Sequence, residues 1–221
     1  MLQLHPTLSL SNLEKNMVLI EGGEFLMGSE KYSSEKPIHK VKLDDYELCR
    51  YLVSQQLWKE VMGSDPEEIK FQNPHRPVER VSWDEIQDNF LPALREKTGD
   101  NSWCLPTEAQ WEYAARGGKY AKGYTYAGSE QLKEVGWFED RNKTEINAYR
   151  ETNPSACKRP NSLGLYDMSG NVFEWCGDKH VVRGGSWYSF PDYARVSDRF
   201  VGYSAYRYSY VGFRLCRYSA R

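Results

Sequence analysis

The residues of this chain that could bind a metal or do redox chemistry are five cysteines and four histidines, scattered over 221 positions. The cysteines are odd in number and show no Cys-x-x-Cys spacing. The histidines stand singly, without the His-x-x-x-His or His-Glu-x-x-His spacing that aligns two ligands on one helix. This pattern predicts neither a zinc site nor a complete disulfide framework, so buried free thiols and metal-free histidines are expected. The residues are Cys49, Cys104, Cys157, Cys176, Cys216, His5, His39, His75 and His180.

A second chemical feature is the stretch YSFPDYARVSDRFVGYSAYRYSY, residues 188–210, which contains six Tyr, four Ser and three Arg. It has no Lys, Glu, Gln, Met or Trp, although these five types supply 53 of the 187 residues before it. For independent positions, such an absence has a probability on the order of 10⁻³. Tyr offers a large amphipathic contact area with few rotatable bonds, and Ser, Gly and Arg add adaptable hydrogen bonding. The stretch therefore predicts a binding surface; a surface loop that is rich in Tyr for packing reasons is the alternative.

The distribution of charge bears on the class of partner. The formal net charge is −2, but residues 1–180 carry 22 Lys plus Arg against 29 Asp plus Glu, whereas residues 181–221 carry seven Arg against two Asp. Arginine among aromatic rings can bind single-stranded nucleic acid by stacking and by phosphate contacts. No lysine follows Lys179, however, and no nucleic-acid motif accompanies the patch. We therefore expect a protein or a cell-surface macromolecule as the ligand, and not a nucleic acid.

The elements that must position this surface are clearest in the first half of the chain. The string MVLIEGGEFLMGS predicts a strand, a tight turn and a second strand, and HKVKLDDYELC predicts a further strand. Three helices are predicted at 54–63, 82–99 and 107–117, since each range begins at a Ser or Thr N-cap and ends at glycine. Pro92 is expected to kink or divide the second helix. These elements indicate an α+β fold with two or three helices around a small antiparallel sheet, and a loop-rich C-terminal half.

No internal repeat, linker or charge block divides the chain, and we expect residues 17–221 to form a single domain after an N-terminal extension of residues 1–16. Seven Trp, sixteen Tyr and eight Phe can build a substantial core for such a domain. No stretch approaches the ~20 apolar residues of a membrane span, and the N-terminus lacks the basic and apolar regions of a signal peptide. As it stands the sequence predicts a cytoplasmic protein; a cell-surface or secreted location is expected if it is a fragment of a longer chain.

Three groups of strings together resemble the formylglycine-generating enzyme, or sulfatase-modifying factor, family. They are MVLIEGGEFLMGS near the start, LPTEAQWEYAARGG in the middle, and NSLGLYDMSGNVFEWCGD followed by VVRGGSW and GFRLCR at the end. The resemblance spans about residues 17–217 and rests on several long strings in a fixed order. It implies an elaborated C-type lectin-like fold, which periodicity alone does not indicate.

Enzymes of this family oxidise a substrate cysteine with a copper-binding pair of cysteines that lies just after the Gly-Gly-Ser string. In this chain the corresponding positions are Ser189 and Ala194. Copper(I) requires soft thiolate ligands, which a hydroxyl and a methyl group cannot supply. The resemblance therefore implies a protein without copper oxidase activity, and we expect it not to be an enzyme.

The family's Gly-Asn-x-x-Glu-Trp turn can hold calcium through the Asn and Glu side chains and backbone carbonyls. This chain retains Gly170, Asn171, Glu174 and Trp175. Hard oxygen ligands on a tight loop suit Ca²⁺. The resemblance thus implies a calcium site at Asn171 and Glu174 as one interpretation; a turn clamp in which both side chains bond local backbone is the other. No other cofactor is expected.

One branch of the family consists of variable proteins of diversity-generating retroelements, whose C-terminal region is diversified at template adenines, chiefly in Asn codons of the form AAY. Randomising the two adenines cannot produce Lys, Glu, Gln, Met or Trp, the five types missing from residues 188–210. This branch implies a variable region there, with Ser204 and Ala205 as secondary candidates. The expected ligand-binding positions are Tyr188, Ser189, Phe190, Tyr193, Asp198, Phe200, Val201, Gly202, Tyr203, Tyr206, Tyr208, Ser209 and Tyr210.

Fixed residues must hold such positions in place. The expected frame consists of arginines, which either pair with buried acids or face solvent, and of apolar anchors: Arg183, Arg195, Arg199, Arg207, Arg214, Trp175, Trp187, Phe213 and Leu215. The sequence as a whole predicts a non-enzymatic, receptor-like variable protein that binds its ligand on a C-type lectin scaffold. A catalytically inactive interaction or regulatory module, and a metal-dependent enzyme of another activity, are the alternatives.

Overall fold

The part of the chain that the structure describes, residues 7–140 and 150–218 of a computed structural model, contains ten short strands and five short helices. They confirm the predicted α+β class, and none of the helices in these two ranges is long and apolar enough to span a membrane. The helices are α1 (Gln55–Met62), α2 (Trp83–Glu85), α3 (Leu91–Thr98), α4 (Glu108–Arg116) and α5 (Leu132–Val135). The strands are β1 (Met17–Ile20), β2 (Gly23–Met27), β3 (His39–Leu43), β4 (Tyr46–Cys49), β5 (Trp103–Cys104), β6 (Phe173–Trp175), β7 (Val181–Arg183), β8 (Arg199–Val201), β9 (Val211–Phe213) and β10 (Cys216–Tyr218). Turns of 3₁₀-helix lie at Leu10–Asn12, Glu14–Asn16, Ser33–Glu35, Gly118–Tyr120 and Pro191–Ala194, and a π-helical turn lies at Ile86–Phe90.

The strands form three small sheets, of order β1-β4-β10-β5, β2-β3 and β8-β7-β6-β9. The pairings between these strands are antiparallel except that of β6 with β9, which is parallel. A parallel pair needs a long connection, and here the connection runs through β7, β8 and the 188–210 segment. Both ends of that segment are therefore anchored in one sheet, which the sequence patterns did not predict.

The strand-forming strings near the N-terminus contribute to two different sheets. β1 pairs with β4 and β2 pairs with β3, so the single strand predicted from HKVKLDDYELC is divided at Asp44 and Asp45. The Asp45 carboxylate accepts a hydrogen bond of 2.7 Å from the Gly22 amide. Position 22 requires glycine because an added Cβ would lie 2.3 Å from the Leu43 carbonyl oxygen. This close crossing of the two chain segments separates the halves into two sheets.

The three predicted helices are present, with their predicted caps. Ser54 Oγ accepts a hydrogen bond of 3.0 Å from the Leu57 amide at the start of α1. Thr107 and Gln110 form a reciprocal capping box at the start of α4, with bonds of 3.2 and 2.8 Å. Pro92 lies in the first turn of α3, directly after the π-helical turn, because its missing N–H interrupts the α-helical hydrogen bonds. The predicted division of the second helix is confirmed.

Two groups of buried side chains form most of the core. In the first, Trp58, Phe90 and Phe213 pack with ring centroids between 5.1 and 6.2 Å apart, joining α1 and the π-helical turn to β9. Leu8 and Leu13 are buried in the same group, so this part of the predicted N-terminal extension packs against the domain. The second group lies around α4 and the first sheet. Through β9 and α4, both groups reach the sheet that carries the 188–210 segment.

Candidate functional site

The main chain of the 188–210 segment is held by donors that lie outside it or at its edge. Each acceptor is a backbone carbonyl oxygen, so these bonds do not depend on which side chain the segment presents. The amides of Arg80, Trp83 and Phe173 and the indole of Trp187 donate to the carbonyls of Tyr208, Ser204, Tyr210 and Ser209, at 3.0, 2.9, 2.8 and 3.0 Å respectively.

Arg183, the last residue of β7, binds the main chain in the middle of the 188–210 segment. Its side chain is fully buried and forms an ion pair with Glu112 of α4. The same guanidinium donates to the carbonyl oxygens of Ser197 at 3.0 Å and Asp198 at 2.5 Å. A buried arginine thus fixes the backbone of the segment while its charge is balanced by a helix acid.

Two arginines inside the segment are paired in the same way. Arg195 contacts both carboxylate oxygens of Glu35, with Nη2 to Oε1 at 2.5 Å and Nη1 to Oε2 at 3.1 Å. Arg199 makes a bidentate pair with Glu108 of α4, at 2.6 and 2.9 Å. Burial alone would raise the pKa of Glu35, but hydrogen bonds from Arg195 and Ser29 hold that pKa below its usual value. These arginines are therefore frame residues paired with acids, the first of the two alternatives that the sequence left open.

Arg214 and Glu174 form the most deeply buried pair of the frame. The Glu174 oxygens accept hydrogen bonds from Arg214 Nη2 at 2.9 Å and Nε at 3.0 Å, and from the Trp111 indole at 3.0 Å. Asn171 is also fully buried, and its amide group bonds the backbone N–H and carbonyl of Asn153, at 2.9 and 3.0 Å. The side-chain oxygens proposed for calcium thus already have protein partners.

The Glu174 and Asn171 oxygens, in these contacts, do not fit a calcium ion. A Ca²⁺ ion on the Glu174 carboxylate would lie against the Arg214 guanidinium, and two cations in a buried site repel each other strongly. Within residues 7–140 and 150–218, no group of three or more His, Cys, Asp or Glu side chains is placed to hold a metal ion. The arrangement is a clamp, with Asn171 bonding the main chain and Glu174 bonding an arginine.

The positions that correspond to the copper-binding cysteines, Ser189 and Ala194, are both buried. Ser189 Oγ accepts a hydrogen bond of 3.0 Å from the Ser186 amide. Ala194 packs against Leu132 and Val135 of α5. A hydrogen-bonded hydroxyl and a packed methyl group therefore occupy the places of the two thiols.

Five tyrosines of the segment form a continuous series of ring contacts, the tyrosine row: Tyr188, Tyr210, Tyr208, Tyr206 and Tyr203. Tyr210 stacks on Tyr188 with centroids 6.1 Å apart and on Tyr208 with centroids 4.8 Å apart. Tyr206 meets Tyr208 edge-on at 5.4 Å and lies 4.9 Å from Tyr203. Stacked and edge-to-face rings at these separations stabilise one another, so the row is packed along its whole length.

The row is open to solvent and continues onto β8. Tyr203 is 67% exposed and Phe200 is 56% exposed, while Tyr208 and Tyr210 are half-buried. Burial raises the pKa of Tyr208 and Tyr210, so their hydroxyls stay protonated and can donate hydrogen bonds. The ring of Phe173 lies 6.4 Å from both Phe200 and Tyr210 and bridges the row to β8.

Val201 and Gly202 follow Phe200 at the end of β8. Val201 is exposed, and Gly202 is half-buried. A Cβ added to Gly202 would lie 3.4 Å from the Trp175 ring, so a side chain there makes ordinary contact. The tyrosine row together with Phe200 and Val201 is called the aromatic surface below.

The remaining sequence-predicted positions lie elsewhere. Phe190 and Tyr193 line a cavity of about 420 Å³ with Phe138 and Tyr32, apart from the ring contacts of the row. Ser189, Asp198 and Ser209 are buried. Burial raises the pKa of Asp198 to about 6, against the lowering effect of Arg195. These three side chains point into the frame and are not available to a ligand in this conformation.

The site also includes residues that the sequence did not indicate. Phe71 packs edge-on against Trp187 with centroids 5.4 Å apart, and Lys70 Nζ lies 5.6 Å from the Trp187 ring. Glu85 of α2 lies 3.3 Å from Arg207 of the expected frame. These contacts join parts of the chain that are far apart in sequence, and no local pattern marks them.

The fold and the frame define a scaffold of the formylglycine-generating type in which both thiol positions are changed. The chain belongs to this family: the sulfatase-modifying factor enzyme 1-like domain matches residues 6–219. It is 28% identical to the structure titled Treponema denticola variable protein 1, with a TM-score of 0.79 over 91% of this chain and 94% of that one. It is also 32% identical to the chaperone protein LppX of Paenibacillus barcinonensis, over 85% of this chain and 84% of that protein.

The proteins similar to this chain include some that are named as enzymes and some that are named as inactive. The chain is 28% identical to the formylglycine-generating enzyme of Thermomonospora curvata, over 78% of this chain and 74% of the enzyme. It is 25% identical to the inactive C-alpha-formylglycine-generating enzyme 2 of Bos taurus, over 80% of this chain and 78% of that protein. The family recognised in the sequence is confirmed, and membership alone does not decide between an enzyme and a binding protein.

Removing the charge of Arg214 should be far more costly than removing that of Arg207. Arg214→Met leaves Glu174 buried and unpaired, and we expect a loss of about 3–5 kcal/mol in the free energy of unfolding. Arg207→Met, at a part-exposed pair, should cost at most about 1 kcal/mol. Urea denaturation followed by tryptophan fluorescence measures both. Adding Glu174→Gln to Arg214→Met should recover part of the loss; equal losses for the two single variants would contradict this assignment.

Calcium should not stabilise the protein. Since Arg214 occupies the Glu174 carboxylate, the melting temperature is expected to be the same in excess Ca²⁺, in excess Mg²⁺ and after treatment with a chelator. Scanning calorimetry measures this directly. A melting temperature that rises with Ca²⁺ alone and falls with the chelator would show that a calcium site exists after all.

Proposed function

We propose that this chain is a non-enzymatic binding protein that recognises a protein or another surface macromolecule through the aromatic surface. The observation that carries the proposal is the tyrosine row itself, which is exposed, contiguous and mounted on a frame of buried ion pairs. Large aromatic side chains that face solvent on a rigid backbone are typical of binding sites, because they give contact area with little loss of entropy.

The contacts that hold the 188–210 segment in place are largely different from the side chains that it exposes to solvent. The bonds that fix the segment use its backbone carbonyls and the frame arginines, and the ring contacts of the exposed Tyr203 and Tyr206 are with other rings of the row. Replacing those rings therefore leaves the frame contacts in place. Such a separation is what a surface of changeable sequence requires.

The shape of the aromatic surface favours a large partner. The row extends across five rings in series and is not enclosed, whereas small molecules usually bind in concave sites that bury most of their surface. Interface cores are enriched in Tyr and Phe, with polar groups at the edge. Free tyrosine hydroxyls along the row would supply that polar component.

Diversification of this surface is supported by two independent observations. The segment lacks the five residue types that AAY randomisation cannot encode, and a solved structure similar to this chain over 91% of its length carries the name variable protein. The positions we assign to the binding surface are Tyr188, Phe200, Val201, Tyr203, Tyr206, Tyr208 and Tyr210, with Gly202 as a position that can accept a side chain. Ser189, Asp198 and Ser209 are left out because they are buried.

The absence of enzyme activity is part of the proposal. Ser189 and Ala194 provide no thiolate for copper, and their neighbours hold them in a packed environment. We expect the protein to act in the cytoplasm, or at the cell surface or outside the cell if the sequence is part of a longer chain.

The gene locus tests the diversification directly. We expect a near-copy of the coding segment for residues 188–210 close by, differing from it chiefly at adenines, together with a reverse transcriptase gene. Sequencing the locus in several strains should show substitutions concentrated at the exposed positions and none at Arg183, Arg195, Arg199 and Arg214. A locus with neither feature would leave a fixed interaction module as the function.

Binding should depend on the aromatic surface. The triple variant Tyr206→Ala, Tyr208→Ala and Tyr210→Ala should lose at least ten-fold in affinity for a captured surface protein, since buried aromatic contacts dominate interface energies. The matched control is Tyr120→Ala, Tyr124→Ala and Tyr218→Ala, three exposed rings outside the segment. Biolayer interferometry measures both, with circular dichroism as a check on folding. Equal binding by both folded variants would place the binding site elsewhere.

A further inference from the structure

Cys104 and Cys216 lie directly opposite each other in the antiparallel pair of β5 and β10. Both are free thiols. The sequence gives no indication of this pairing, because the two residues are 112 positions apart and the cysteines show no disulfide spacing. They lie outside the aromatic surface and play no part in the proposed binding.

The backbone geometry places the two thiols within reach of each other. The Cys49 amide donates to the Leu215 carbonyl at 2.8 Å, so Leu215 faces β4 and its neighbour Cys216 turns its own N–H and carbonyl towards β5. Opposite residues of such a hydrogen-bonded pair have Cα atoms ~5.5 Å apart. Disulfides span Cα separations of roughly 4.4–6.8 Å. β5 is an edge strand of two residues, so it can adjust by the small amount that an S–S bond requires.

The two thiols differ in accessibility and in acidity. Cys104 is half-buried, whereas Cys216 is fully buried. A hydrogen bond from Cys216 lowers the pKa of Cys104 against the opposing effect of burial, and the same bond together with burial raises the pKa of Cys216. Cys104 is thus suited to attack a disulfide from solvent, and Cys216 is placed to resolve the product.

We propose that Cys104 and Cys216 form a reversible disulfide by exchange with a low-molecular-weight disulfide such as oxidised glutathione. The Cys104 thiolate attacks one sulfur of the oxidant, forming a mixed disulfide and expelling one glutathione thiolate. The Cys216 sulfur then attacks the Cys104 sulfur and expels the second glutathione thiolate, which takes up the Cys216 proton. One oxidised glutathione is reduced to two thiols, and two cysteine thiols are oxidised to one disulfide, so atoms and electrons balance.

The bond would join two strands that border the frame of the binding segment. Cys216 follows Arg214 of the frame by two residues. Cys104 precedes the capping box of α4, the helix that carries Glu108 and Glu112. Oxidation would thus cross-link β10, which follows Arg214, to β5, which precedes α4. A crosslink over a loop of this length should raise the melting temperature by on the order of 5–10 °C.

The experiment uses the full chain, purified in reduced form and incubated with a glutathione buffer of increasing oxidised fraction. We expect a species with two fewer free thiols and a mass lower by two hydrogen atoms, and non-reducing digestion should yield a peptide that joins residue 104 to residue 216. Differential scanning fluorimetry should show the higher melting temperature, reversed by dithiothreitol.

Three variants make the outcome specific. Cys216→Ala should accumulate a stable glutathione adduct on Cys104. Cys104→Ala should form no crosslink, and glutathione should react with its buried Cys216 more slowly than with Cys104 of the wild type. Cys157→Ser is the matched control, because Cys157 is also half-buried but burial raises its pKa to about 11; it should react like the wild type. Three results would each overturn the proposal. They are the retention of both the Cys104 and the Cys216 thiol in fully oxidised buffer, a lasting glutathione adduct on wild-type Cys104, and a crosslink between any other pair of cysteines.

Discussion

The buried pairing of arginine with carboxylate is the interaction on which the rest of this structure depends. Arg214 and Glu174, both fully buried, join β6 to the segment after β9, and Arg214 also donates to the carbonyls of Cys49, Arg50 and Tyr166. Each ion loses several kcal/mol of hydration on burial, which only close pairing and saturated hydrogen bonding can offset. The geometry of the frame is therefore strictly specified, since any shift would expose an uncompensated charge.

This constraint explains how an irregular C-terminal half can present a defined surface. The third sheet has strands of only three residues, too short to position a 23-residue segment by ladder hydrogen bonds alone. Arg183, Arg195 and Arg199 supply the missing restraints by tying the segment to Glu112, Glu35 and Glu108. Tyr208 and Tyr210 pack partly against the core and support the more exposed Tyr206 and Tyr188.

The chemistry available to this scaffold depends on a few side chains, two of which are buried in this chain. With thiols at positions 189 and 194, the resemblance implies a copper oxidase. In this chain a hydrogen-bonded serine and a packed alanine occupy these positions, and the same segment carries exposed aromatic side chains. The calcium hypothesis for Asn171 and Glu174 depends on neighbouring groups in the same way. The turn keeps the residue types that calcium prefers, but in this chain they bond Arg214 and the backbone of Asn153. A motif fixes which groups are present, and their neighbours decide what those groups bind.

The sequence by itself determined the local and compositional features of this protein. The N-caps at Ser54 and Thr107 and the break at Pro92 depend on residues within one or two helical turns, and the family strings fixed the fold class. The composition of residues 188–210 singled out this segment as the candidate binding surface. Only the tertiary structure decided which of its positions face outward, that Ser189, Asp198 and Ser209 do not, and that the tyrosines form a row. It also decided which acid each arginine meets, as with Arg195 and Glu35, 160 residues apart, and that Cys104 meets Cys216. These outcomes depend on how short strands from distant parts of the chain pair into sheets. Strand pairing is set by the joint packing of all elements, and no local pattern encodes it.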